Sequence, residues 1–153
     1  PIPVNSNHRF FRGNHDDYDV EHPNCLGDFG NITLGGIEVF YIRGAHSIDK
    51  DKRILGVSYW DQEEISYPVA MEAMDLYEVS KPRIVLSHDC PSYVAGMMGI
   101  HDRSKTRTFL QSLFEMHNPS LWIYGHHHRD FKVKIGNTKF VCLPIGGHMD
   151  LEA

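Results

Sequence analysis

The sequence predicts an α/β fold in which short buried strands alternate with amphipathic helices. Short apolar runs that end in polar residues are separated by segments with apolar residues at helical spacing. The chain has 153 residues, of which 41% are hydrophobic and 11% aromatic, so it is long and apolar enough to bury a core. We therefore expect one domain spanning residues 1–153.

The first third of the chain contains a predicted strand and a predicted hairpin. The apolar run at 9–11 stops at Gly13–Asn14, which is typical of a strand that ends in a loop. After a loop-rich region, the runs 32–34 and 37–42 flank Gly35–Gly36, a pair typical of a hairpin turn. The second run is apolar on both faces, so we expect it to be a buried strand.

Two segments have the spacing of amphipathic helices. The first begins at Ser66, a candidate N-cap with Pro68 just inside the helix, and ends before Pro82, because proline cannot continue a helix. The second spans residues 104–117 and carries an apolar stripe. Strands are predicted at the buried runs 84–86 and 120–124, and the last elements form a hairpin across Gly136–Asn137.

Polar residues follow three of the predicted strands, in the segments 13–16, 87–89 and 125–128. Because ligands of α/β sheets bind outside the carboxyl ends of the strands, we expect the three segments to converge on one site. Three histidines and an asparagine oxygen suit a transition metal such as Zn, Mn, Fe or Ni. Each segment alone also fits a turn or a surface role, so the combination carries the prediction.

The run of three histidines has a predicted orientation. On an extended tip, residues two apart project to the same side, so His126 and His128 should face one site while His127 points away. The glycines in the same segments would let the backbone approach a ligand closely.

Composition excludes several classes of function. The net charge is −5 and the 15 Lys and Arg residues are scattered, so no nucleic-acid footprint is visible. No apolar stretch approaches the about 20 residues that cross a bilayer. Three cysteines without a C-x-x-C pair suit free thiols in a reducing compartment. We expect a cytoplasmic protein without a membrane segment.

The three ordered motifs resemble those of the calcineurin-like metallophosphoesterases. "GNHD" (13–16), "SHDCP" (87–91) and "GHHH" (125–128) match the third, fourth and fifth blocks of that family's pattern, in the family's order. The resemblance implies a four-layer α/β/β/α sandwich of two mixed sheets, with a dinuclear metal centre at the strand ends. It implies a hydrolase, a phosphatase or phosphodiesterase, that uses a metal-activated water on a phosphomonoester or phosphodiester.

The resemblance also implies roles for individual residues. Asn14, His88 and His126 would bind one metal, and His128 would bind the other. His15 would sit beside the scissile phosphate, as general acid or as a phosphate contact. The cofactors would be two divalent transition metal ions per complete site, Mn, Fe, Zn or Ni. The supporting loop residues would be Gly13, Asp16 and Gly125.

The sequence departs from the family pattern before Gly13. The blocks Asp-x-His and Gly-Asp-x-x-Asp are not found there, and "GDFGN" (27–31) is interpreted as a turn. We therefore expect either an N-terminally truncated domain lacking its first strand or strands and helix, which we favour, or a natural half-site. Asp16 is adjacent to His15 and so is a poor candidate to orient it. An uncovered sheet edge would favour oligomers.

Three functions fit these observations. The first is a phosphoesterase whose substrate is an unidentified phosphate ester. The second is a non-catalytic metallophosphoesterase-like interaction module, and the third is a mononuclear metal site with other chemistry. Substrate choice would depend on the loops 17–30, 44–53 and 90–103. Candidates to line the pocket, with structural roles favoured, are His46, Trp60 and Asp89.

Overall fold

A computed structural model describes residues 7–152, and these residues form one mixed six-stranded sheet in the order β1-β2-β3-β4-β6-β5. The strands β2, β3, β4 and β6 pair in parallel, and β1 and β5 are antiparallel edge strands. The mixed sheet with helices confirms the α/β class. The strands are β1 (Phe29–Leu34), β2 (Ile37–Ile42), β3 (Ile84–Ser87), β4 (Leu121–Tyr124), β5 (Phe131–Ile135) and β6 (Thr138–Cys142).

Three α-helices lie in the same part of the chain: α1 (Tyr67–Ser80), α2 (Ser92–Met97) and α3 (Lys105–Met116). The helix α1 begins after Ser66 and ends at Ser80, before Pro82, as predicted, although the Ser66 side chain makes no capping hydrogen bond with the described residues. In α3 the Ser104 hydroxyl accepts a hydrogen bond from the Arg107 N–H (3.1 Å), a typical N-cap contact that the sequence analysis did not single out. Among the helices of residues 7–152, none has the length and apolar character needed to cross a bilayer.

Both predicted hairpins are present. The β1–β2 turn places Gly35 and Gly36 at φ 57° and 84°, backbone values that suit glycine and match the twist of the two strands. The β5–β6 turn begins with Gly136 at φ 58°. Both turns therefore follow from local sequence.

Two local predictions are wrong. Residues 9–11 form no strand within the described chain, and Phe10 makes a single isolated bridge to Cys25. The run is too short to form a ladder, and the Phe11 ring instead stacks on Tyr41, with ring centroids 6.1 Å apart. Residues 29–31, expected to belong to a turn, start β1 because their pairing with β2 outweighs their turn preference.

The core is built on a continuous row of paired residues across four strands. Phe40 pairs with Val85, Val85 with Trp122, and Trp122 with Phe140, and all four are fully buried. The helices cover this row with Tyr77 of α1 and with leucines of α3. The described residues contain this one sheet, so the four-layer sandwich and the lack of N-terminal elements stay predictions.

The parallel pairing sets up the site. Ser87 pairs with Tyr124 at the carboxyl ends of β3 and β4. Immediately beyond them, the Gly125 N–H donates to the His88 carbonyl (3.1 Å). The second and third polar segments therefore leave the sheet side by side.

The three free cysteines differ in burial, and therefore in their expected reactivity. Burial raises the pKa of the Cys90 and Cys142 thiols, whereas Cys25 is partly exposed. Because the thiolate is the reactive form, we expect iodoacetamide at pH 8 to modify the native protein once, at Cys25, and the unfolded protein three times. Intact-mass spectrometry measures the number of labels on the native and on the unfolded protein. The control is a Cys25→Ser variant, which should take up no label when native. Rapid addition of a second or third label to the native protein would contradict this burial.

Candidate metal centre

The three polar segments meet at the side-chain oxygen of Asn14. Asn14 Oδ1 lies 3.0 Å from His88 Nε2 and 3.1 Å from His126 Nδ1. The two imidazole rings are 5.1 Å apart between centroids and inclined at 61°. Asn14 is separated from these histidines by 74 and 112 residues in the sequence. The predicted convergence of three segments is therefore present.

The first segment is a tight turn that seats His88. A Cβ atom on Gly13 would lie 2.4–2.7 Å from three ring atoms of His88, so the absence of a side chain makes room for the imidazole. Asp16 Oδ2 accepts the Gly13 N–H (2.6 Å), and the Tyr18 hydroxyl donates to the Gly13 carbonyl (2.9 Å). Asp16 therefore closes the turn. This agrees with the expectation that Asp16 is poorly placed to orient His15.

The histidine run does not have the predicted backbone. His126 and His128 have φ of 63° and 53°, in the left-handed region, so the tip is bent and the extended-tip prediction is wrong. His126 and His128 line one cavity without His127, and His127 contacts Asp89. The His127 ring nevertheless lies 4.8 Å from that of His126, and the two residues share the lining of a second cavity. Gly125 also differs from Gly13, since the nearest contact of an added Cβ among the described atoms is 4.0 Å away.

His128 lies near His88 and His126, but within residues 7–152 it makes no hydrogen bond to Asn14 Oδ1. It is exposed, and with His88 and His126 it lines a cavity of about 420 Å³ whose other walls are mainly apolar. Its predicted role as ligand of a second metal stays a prediction.

The two central histidines are held as neutral imidazoles at neutral pH. Burial lowers the pKa of His88 and of His126 to about 4, and Asp89 only partly offsets the effect. A neutral imidazole has a lone pair free for a metal ion, whereas a protonated one has none.

The donor set and its spacing fit a divalent transition metal. In octahedral coordination, two adjacent ligand atoms about 2.1 Å from one ion lie about 3 Å apart. The contacts of Asn14 Oδ1 with the two ring nitrogens are 3.0 and 3.1 Å long. Two imidazoles and an amide oxygen suit Mn, Fe, Ni or Zn and leave further coordination positions open.

His15 lies at the edge of a second cavity that reaches Asn14. This cavity has a volume of about 440 Å³, and His15 is exposed within it. His46 shares the lining, and its Nδ1 is 3.4 Å from Glu64 Oε2. The lining also includes two arginines, Arg107 and Arg129. The sequence analysis did not identify them, because isolated basic residues form no motif. Arg107 is paired with Asp102, which also lines the cavity together with Asp49, so the lining carries charges of both signs beside the metal-ligand edge.

A second cluster contacts residues 126–128, here called the histidine tip, through His127. This cluster was not predicted from the sequence. The ligand atoms of Asp89, Cys90 and His127 all lie within 4.8 Å of one another. Asp89 Oδ1 is 2.9 Å from His127 Nε2 and accepts the Cys90 N–H (2.8 Å). Arg107 Nε lies 3.8 Å from Asp89 Oδ2, which has no hydrogen-bond partner among residues 7–152.

Asp89 is negatively charged at neutral pH, which accounts for its contacts with His127 and Arg107. Burial acts to raise its pKa, but the His127 hydrogen bond and the nearby His126 and Arg107 outweigh burial and lower it. Asp89 is therefore a buried carboxylate that anchors His127, the structural role favoured from sequence. Trp60 is also structural, since its Nε1 donates to Asp19 Oδ2 (3.1 Å).

Gly13→Ala tests the seat of His88. The added methyl group would displace the imidazole from Asn14, so we expect Mn²⁺ affinity to fall at least about tenfold, as for lost supporting contacts at metal sites. Titration calorimetry measures the dissociation constant. The control is Gly96→Ala, because a Cβ there meets open space. Equal affinities of the two variants would contradict the proposed seat.

Asp89→Asn tests the buried carboxylate. The change leaves Arg107 without its buried charge partner, so we expect the free energy of unfolding to fall by about 3 kcal/mol. Asp102→Asn removes the more exposed partner of the same arginine, and its cost should stay below about 1 kcal/mol. Urea unfolding at neutral pH compares the two, and a larger loss in Asp102→Asn would refute the assignment.

One of three comparisons with known proteins, a match to a protein family, agrees with the motifs. A family model, calcineurin-like phosphoesterase, matches residues 2–130. No curated protein sequence matches the chain. One similar solved structure is GAP50, the anchor in the inner membrane complex of Plasmodium, with 11% identity and a TM-score of 0.37, covering 74% of this chain and 35% of that one. The chain thus spans about a third of that protein's length. Because the family model matches most of it, the chain belongs to the calcineurin-like phosphoesterase family.

Proposed function

We propose that this protein hydrolyses a phosphomonoester or phosphodiester at a dinuclear metal centre. The observation that carries the proposal is the meeting of Asn14 Oδ1 with His88 Nε2 and His126 Nδ1, at 3.0 and 3.1 Å. This meeting point lies at the wall of a cavity that also contains His15. Family membership supports the same reaction class.

Asn14, His88 and His126 would hold one divalent ion, Mn, Fe, Zn or Ni, and His128 would contribute to the second. Such ions supply Lewis acidity, which lowers the pKa of the attacking water and offsets charge on the phosphoryl oxygens. The protein keeps both central imidazoles neutral and ready to bind by burying them.

The remaining residues would handle the phosphate ester. His15, exposed at the cavity edge, would donate a proton to the leaving-group oxygen or a hydrogen bond to a phosphoryl oxygen. Arg129 lines the same cavity and is anchored through Nη1 to the Met98 carbonyl (3.0 Å), which leaves other guanidinium N–H groups for the substrate. A cavity of about 440 Å³ suits a small ester.

The finer fold and location are also proposals. Leu86, Ile123 and Leu143 line the apolar cavity on the sheet face opposite the buried row that contains Val85 and Trp122. A second sheet covering this face would complete the four-layer sandwich. Free thiols at all three cysteines suit the cytoplasm.

Metal content and hydrolysis test the function together. We expect purified protein loaded with Mn²⁺ to retain the metal and to hydrolyse p-nitrophenyl phosphate or bis-p-nitrophenyl phosphate. The double variant His88→Ala/His126→Ala should lose the metal and at least about 100-fold in rate, since ligands and metal act as a unit. The control is His101→Ala, an exposed histidine outside both cavities.

The possible results are distinct. Metal bound at His88 and His126 without hydrolysis of either ester would support a non-catalytic interaction module instead. Metal that stays bound in the double variant, or that never binds, would contradict the centre itself.

A further inference from the structure

A buried cluster adjoins Asn14 on the side away from the two histidines. It consists of Ser47, Arg53 and Glu63, here called the Ser47 cluster, and none of these residues belongs to the motifs 13–16, 87–91 or 125–128. Ser47 is 3% exposed and Glu63 1% exposed, and the Arg53 side chain is 9% exposed. Burying a hydroxyl, a carboxylate and a guanidinium is costly unless each is paired.

The cluster contacts the amide group of Asn14 directly. Asn14 Nδ2 donates to Ser47 Oγ at 2.8 Å. An asparagine amide has a donor end and an acceptor end, so committing the donor end to Ser47 leaves Oδ1 facing His88 and His126. A flipped amide would present N–H groups to the two imidazoles and offer a metal ion no oxygen.

Ser47 can accept this hydrogen bond because its own proton is committed elsewhere. Its hydroxyl donates to Glu63 Oε2 at 2.5 Å, and its lone pairs receive Asn14 Nδ2 and Arg53 Nη1, the latter at 2.9 Å. A carboxylate accepts only, and a guanidinium donates only. The direction of every bond in the cluster is therefore set by its two charged members.

Arg53 connects the cluster to the backbone of the same turn. Arg53 Nη2 donates to Glu63 Oε1 (2.7 Å) and to the Asn14 carbonyl (3.1 Å). Both the side chain and the main chain of Asn14 are thus held by residues 33 and 39 positions away. The loop 44–53, expected to influence substrate choice, supplies two of the three members.

We propose that Ser47, Arg53 and Glu63 are positioning residues that present Asn14 Oδ1 to the metal held with His88 and His126. The inference rests on the metal site of the proposed function and adds to it a set of residues that act through Asn14. It predicts that the Ser47 hydroxyl controls metal affinity beyond its contribution to stability.

The test compares two buried serines. Ser47→Ala removes the acceptor for Asn14 Nδ2, whereas Ser104→Ala removes the cap of α3, and Ser104 likewise contacts a glutamate, Glu64, at 3.2 Å. Mn²⁺ alone is the probe, and its free concentration is measured by electron paramagnetic resonance. We expect Ser47→Ala to raise the Mn²⁺ dissociation constant 10- to 100-fold, in the range of lost supporting contacts. Ser104→Ala should lower the melting temperature and leave the dissociation constant within about twofold.

Two further variants keep the test decisive. Ser47→Thr retains the hydroxyl and should restore most of the affinity. Ser47→Cys keeps a similar volume with a weak hydrogen-bonding group, and it replaces Ser47→Ala if that variant does not fold. Equal changes in affinity for Ser47→Ala and Ser104→Ala would overturn the proposal, because the cluster would then act only through stability.

A metal-free measurement separates this inference from the proposed function. In the wild-type protein the Asn14 side-chain N–H that bonds Ser47 should exchange slowly with solvent, and in Ser47→Ala it should exchange at least about tenfold faster. Unchanged exchange would overturn the positioning role whatever the metal result. Slow exchange in a wild-type protein that binds no Mn²⁺ would refute the metal centre while supporting the hold of Ser47 on Asn14.

Discussion

The site depends on the parallel register between β3 and β4. Pairing of Ser87 with Tyr124 places His88 beside Gly125, and the hydrogen bond from the Gly125 N–H to the His88 carbonyl carries the register past the ends of the strands. A slip of β4 by one residue would turn the buried Trp122 to the other face of the sheet, so core packing enforces the register. The same burial that stabilises the fold therefore aligns His88 with the histidine tip.

Two buried carboxylates flank the neutral ligand set. Asp89, with Arg107, holds the tip through His127, and Glu63, with Arg53, holds Asn14 through Ser47. Each carboxylate has an arginine within 4 Å, which limits the cost of burying it, and Asp89 still acts on the two ligand histidines by raising their pKa. The protein thus surrounds an uncharged binding point with charged groups that position it.

Much of the fold was predictable because its cues are local. Gly35–Gly36, Pro68 and Pro82 specify a turn and the limits of a helix within a few residues of sequence, and the structure follows them. The convergence on Asn14 was also predictable, since strand ends of one sheet share an edge. The helix α2 is too short to show a helical period, and the contact of Ser47 with Asn14 joins residues 33 positions apart, which leaves no local pattern.

The left-handed backbone of His126 and His128 sets local stability against the presence of the two imidazoles. A residue with a β-carbon in this region is held at a cost of about 1 kcal/mol or more, which glycine would avoid. Evolution toward a more stable tip would therefore favour glycine at both positions, at the expense of the imidazoles. A tip built from glycines would therefore be less strained and would carry neither ring, so the strained backbone and the two imidazoles come together.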